Sequence, residues 1–89
     1  MKFYCIADKD TVRGFALAGV AGEVATDAKT AAAALDRAAE NGEYGVIILT
    51  EGTASLIRAQ VESMRLELSR TLIAEIPGPD KGFFYEKRS

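Results

Sequence analysis

With 89 residues, 48% of them apolar, the chain has enough material for one hydrophobic core and too little for two. A net charge of −2, no histidine, and no lysine- or arginine-rich cluster before the last few residues remove the electrostatic footprint of a nucleic-acid binder. No apolar run approaches the roughly 18 residues of a membrane span, and no signal-peptide layout precedes the first strand pattern, so a soluble intracellular protein is expected.

The first strand is predicted over Phe3 to Ala7, apolar on both faces, and is stopped by Asp8, Lys9 and Asp10. The lone cysteine, Cys5, lies inside it, where a buried thiol packs like a small apolar residue and agrees with a reducing compartment. Val12, Phe15, Ala16 and Gly19 recur at helical spacing, so a short helix follows, capped by Asp10 or Thr11 and closing near Gly19. Gly14 lies inside that helix at a cost of about 1 kcal/mol against alanine, and close approach to neighbouring backbone is the expected return.

Glu23 to Ala25 reads as a second strand, short and polar enough to be an edge. Thr26 and Asp27 cap a helix running to about Asn41, with Ala28, Ala31, Leu35, Ala38 and Ala39 on one face and Gly42 as its left-handed stop. The stretch from Tyr44 to Glu51 organises the chain. Val46, Ile47, Ile48 and Leu49 leave no polar face, so this strand must be covered on both sides, as in a parallel sheet flanked by helices. Ala54, Ile57, Val61, Met64 and Leu68 then specify one helix from about Gly52 to Ser69. A fourth strand, Thr71 to Ile76, carries Glu75 and ends at Pro77 and Gly78, which suits an edge.

This alternation predicts an α/β fold: a small open four-stranded parallel sheet in the order 2-1-3-4 with helices on both faces, of the Rossmann-like or receiver-like kind. Residues 1–78 are expected to form the single domain and residues 79–89 a C-terminal tail, the start of a truncated C-terminal helix. Right-handed crossovers put the helices after strands two and three on one face and leave the first helix alone on the other. That second face needs further cover, from the tail or from a partner.

In such a sheet ligands bind beyond the carboxyl ends of the strands where the strand order reverses, here a crevice holding Asp8, Asp10, Thr50 and Glu51. Carboxylates placed there can hold Mg²⁺, but Thr50 stands where a phosphoacceptor aspartate is required and the accompanying lysine is missing, so helix capping accounts for the acids. Gly14 and Gly19 have the spacing of a phosphate loop's outer glycines, yet Val20 and Ala21 replace its Lys and Ser/Thr. Without histidine, and with Cys5 in mid-strand, no nucleophile has an evident base. No catalytic residue, cofactor site or metal site is therefore assigned. The tail stands out instead: Phe83, Phe84 and Tyr85 follow the turn-rich segment from Pro77 to Gly82, and aromatics are enriched where proteins meet.

Three segments together resemble one family. IADKDTVRGFALAGV (6–20), GVIILTEGTASLIR (45–58) and LIAEIPGPD (72–80) are similar, in order, to the first strand and helix, the central strand and following helix, and the last strand and Pro-Gly turn of the F subunit of V-type and archaeal-type (A-type) rotary ATPases and ATP synthases. The resemblance implies a non-catalytic central-stalk (rotor) component of a proton- or sodium-translocating ATPase or ATP synthase. Such a component binds the coiled-coil D subunit of the stalk, meets the catalytic A and B subunits transiently and modulates the coupling of ATP hydrolysis or synthesis. It also implies a cytoplasmic place, peripheral to the membrane and without direct insertion; the thinly covered sheet face, for its part, predicts that the isolated protein self-associates there or holds its tail against that face. Partner binding is expected of Pro77, Gly78, Phe83, Phe84 and Tyr85. The alternative from a different class is a stand-alone receiver-like domain binding Mg²⁺ or a small ligand at the acidic crevice.

Overall fold

In the computed structural model, which describes residues 2–67 and 70–78, β3 (Tyr44–Thr50) lies between β1 (Lys2–Ala7) and β4 (Leu72–Ile76) and pairs in parallel with both. β2 (Ala21–Val24) pairs with the far side of β1, so the order is β2-β1-β3-β4, the expected one. The sheet is threaded by α1 (Lys9–Leu17), α2 (Ala28–Asn41), α3 (Glu51–Leu56) and α4 (Arg58–Glu67).

The two faces are filled unequally. Ile6, Ile47, Leu49 and Ile73 point to one side, where Ala31, Ala34, Leu35 and Ala38 of α2, Ala54 of α3, Ile57 and Val61 close over them in the main core. On the other side the buried apolar cluster among the described residues is Cys5, Ala7 and Ile48, with Val12 and Phe15 of α1 packed against them. The alanine-rich face of α2 carries little apolar area but lets the helix lie close to the sheet. Its ends are fixed locally: Asp27 accepts the Thr30 N–H at 2.8 Å, and Gly42 stops the helix at φ 81°, a conformation that costs glycine nothing.

The edge strands carry their charges toward the helices of the filled face. Glu23 on β2 accepts from the Tyr4 hydroxyl at 2.8 Å and pairs with Arg37 of α2. Between Lys2 and Phe3 the β1–β3 register shifts past Gly45, which brings Tyr44 to the same side as Tyr4 with ring centroids 4.6 Å apart. At the opposite edge Glu75 of β4 takes two hydrogen bonds from Arg58, at 2.6 and 2.9 Å, and one from Arg65 at 3.0 Å. The Arg58 hydrogen bonds, with those of Arg65, hold the Glu75 carboxyl below the usual glutamate range against the opposing effect of burial.

Four sequence expectations are corrected. The first helix is capped by Asp8 and not by Asp10 or Thr11, and its regular part ends at Leu17. The Gly14 position has open space around it; the close approach occurs at Gly22 on β2, where a Cβ would run into the Cys5 carbonyl. The single helix expected over 52–69 is two helices, because Ile57 leaves helical geometry at φ −133°, ψ 39°. Arg58, the first residue of α4 after the break, meets Glu75 on β4 at 2.6 Å, with the Glu62 partner four residues on reached only at 3.4 Å. The second strand begins at Ala21 and ends at Val24, with Ala25 already buried beyond it.

Unequal faces predict unequal mutational costs. Leu49→Ala opens a cavity in the fully enclosed core and is expected to cost about 3–5 kcal/mol; Ile48→Ala, on the thinly covered face where the site can relax, about 2 kcal/mol. Denaturant midpoints of the two variants check this, and equal losses would contradict the asymmetry.

Candidate functional site

Two surfaces invite a functional reading: the crevice at the carboxyl ends of the strands and the thinly covered sheet face. The crevice is a cleft of about 420 Å³ lined by Asp8, Ala25, Thr26, Thr50, Thr53 and Leu56, with Gly52 and Gly78 at its walls. Asp8 is half-buried and already engaged: one carboxylate oxygen accepts the Thr11 N–H at 3.1 Å and the other the Thr11 hydroxyl at 2.7 Å. Thr50, buried at the tip of β3, accepts the Thr53 N–H at 3.1 Å and donates to the Thr53 hydroxyl at 2.9 Å. Asp10 and Glu51 sit exposed in the first turns of α1 and α3, where negative charge is favoured by the helix ends. Among the described residues no three His, Cys, Asp or Glu side chains are grouped to hold a metal ion.

Capping is what these groups do chemically. An aspartate whose two oxygens satisfy a helix start offers weaker ligation to a cation than a free one. The Cys5 thiol is fully buried and pushed up to about 11, chiefly by that burial, which leaves it protonated and a poor nucleophile at neutral pH. Titrating Mg²⁺ into the protein should leave the amides of Asp8, Asp10 and Glu51 unshifted below millimolar concentration; saturable submillimolar shifts centred on them would establish a cation site.

The second surface is apolar. Cross-strand register lines up Phe3, Val46 and Leu72 in one row and Cys5, Ile48 and Ala74 in the next, all on the face that carries α1. α1 packs on β1 and β2. The first row is exposed at both ends among the described residues, with Phe3 on β1 44% and Leu72 on β4 62% exposed on either side of a half-buried Val46, whereas Ile48 in the next row is buried and Ala74 and Ile76 on β4 are half-buried. At a strand spacing of about 4.8 Å this row, crossing from β1 over β3 to β4, is about 10 Å long, the diameter of one helix.

Of the residues expected to bind a partner, Pro77 is exposed just beyond β4 and Gly78 is buried, lining the crevice. Phe83, Phe84 and Tyr85 lie outside the described residues. Phe3 and Leu72 were not anticipated, because a lone aromatic at a strand start and a leucine on an edge strand carry no sign of being neighbours until the register is known.

No curated protein matches this sequence significantly. A family model does, over residues 4–89, which is nearly the whole chain: ATP synthase (F/14-kDa) subunit. The match takes in every described helix and strand except the first two residues of β1. The chain therefore belongs to the ATP synthase (F/14-kDa) subunit family and is a component of a rotary ATPase.

Proposed function

We propose that this protein is a non-catalytic part of the central stalk of a V- or A-type proton- or sodium-translocating ATPase, and that it binds the coiled-coil D subunit through its open apolar face. The observation that carries the reading is the Phe3–Val46–Leu72 row, an apolar strip beside α1 with the width of one further helix. A coiled-coil partner presents helices with continuous apolar stripes, and a stripe laid over this row would give the face a second helix, where α2, α3 and α4 cover the other one.

Residues 1–78 act in this reading as one domain, and the tail 79–89 supplies Phe83, Phe84 and Tyr85 as further anchors, led out of the sheet by Pro77 and Gly78. The protein meets the catalytic A and B subunits transiently as the stalk turns and modulates hydrolysis or synthesis through that contact, with no chemistry of its own. Its place is cytoplasmic and peripheral to the membrane. In support, no described helix is long and apolar enough to cross a bilayer. In isolation the same apolar strip drives self-association.

Two sets of substitutions test the interface by titration against the coiled-coil D subunit. Phe3→Ser with Leu72→Ser, and Phe83, Phe84 and Tyr85→Ser, should each weaken binding by more than about 1 kcal/mol, as loss of an interface anchor does. The Phe3 and Leu72 pair should leave the far-UV circular dichroism intact, since both side chains are exposed in the chain alone. Unchanged affinity in both variants would move the interface away from this face.

A further inference from the structure

We propose that α4 is a hinged latch: pivoting at Ile57, it leaves the sheet locally while the rest of the domain stays folded, and the ion cluster centred on Glu75 sets how often it does so. The inference is independent of the stalk assignment and rests on how this helix is attached.

Apolar burial holds α4 weakly. Its only fully buried residue is Val61, assisted by a half-buried Met64, and Leu66 is 89% exposed. By contrast α2 inserts Ala31, Ala34, Leu35 and Ala38 into the same core. Local opening costs least where buried apolar contacts are few, so the ten-residue α4, with one fully buried side chain, has far less to lose than α2 with four.

Polar contacts make up the attachment. Arg58, at the start of the helix, grips both oxygens of Glu75. Two turns on, Arg65 reaches the same carboxylate at 3.0 Å and the Ile73 carbonyl of the edge strand at 2.9 Å. On the other flank Gln60 donates to the Ala32 carbonyl at 3.1 Å and to Asp36 at 2.9 Å, tying α4 to α2. Charge-assisted, two-pronged arginine contacts on a mostly sheltered carboxylate are the strong members of their class, and they remain sensitive to salt where a single exposed pair would contribute little.

The pivot is built in. Ile57 has left helical geometry, its N–H donating to the Ala54 carbonyl as α3 closes and its carbonyl accepting the Val61 N–H as α4 begins. Its side chain is buried, so it anchors the start of α4 while the helix beyond it turns. A continuous helix would have coupled α4 to the well-held turn of Thr53 and Ala54; the break at Ile57 uncouples them. Opening uncovers Val61, Ile73 and the edge-strand carbonyl that Arg65 holds.

Amide hydrogen exchange on the full chain reads this directly. In the parent protein the amides of α4 should exchange at least about 10-fold faster than those of α2 and β3, which report opening of the whole domain. Glu75→Gln should accelerate α4 further, by about 5-fold or more, and leave the ratio of α2 to β3 rates unchanged. Raising NaCl from about 0.05 to 0.5 M should accelerate α4 in the parent and have a smaller effect in Glu75→Gln. Arg65→Gln, which spares the Arg58 contacts, should fall between the parent and Glu75→Gln. The proposal is overturned if parent α4 exchanges at the rate of α2 and β3, or if Glu75→Gln speeds all three elements by one common factor.

Discussion

Everything in this domain depends on the burial of β3 from both sides. Ile47 and Leu49 face the three helices α2, α3 and α4, while Val46 and Ile48 face α1, and parallel pairing to β1 and β4 satisfies the backbone between them. A parallel strand with apolar residues on both faces has no solvent side to spare. The fold therefore needs cover on two faces, and a four-stranded sheet needs the width of about two helices on each. The described residues supply that on one face only. The exposed ends of the Phe3–Val46–Leu72 row are the direct physical consequence of this shortfall, and that row is the surface on which the proposed stalk contact rests.

The remaining polar groups are arranged around that constraint. Asp8, Asp27 and Thr50 each end a strand or loop and begin a helix, accepting the N–H three residues on. Glu23 and Glu75, on the two edge strands, face inward to arginines of α2 and α4. No buried side-chain nitrogen or oxygen among the described residues lacks a hydrogen-bond partner. In the cleft beyond the strands, Asp8 and Thr50 are accordingly spent on the helix starts they cap, and the Thr53 hydroxyl accepts from Thr50.

The attachment of α4 follows a different logic from that of the other helices. Where α2 lies close because its face is alanine, α4 presents mostly charge and is held by arginines reaching an edge-strand carboxylate. The break at Ile57 lies directly before Arg58, the first residue of α4 and one of the two arginines on Glu75. Sequence periodicity could not see the break: Ala54, Ile57, Val61 and Met64 keep helical spacing straight through it, since a side chain that remains buried at a kink leaves the apolar pattern undisturbed.

The number, type and order of the strands, the left-handed stop at Gly42, the cap at Asp27 and the polar edge strands were all legible in the amino acids alone, because they follow from local spacing and from hydrogen-bonding needs within a few residues. So was the shortage of cover on one sheet face, since crossover handedness follows from element order. Contacts between residues distant in the chain could be settled only by folding. Gly22, and not Gly14, is the close approach, because that contact is with a carbonyl on β1. Glu75 lies between Arg58 and Arg65, and Phe3, Val46 and Leu72 form one row, because a register between strands far apart in the sequence is fixed by how the whole sheet packs and by no local signal.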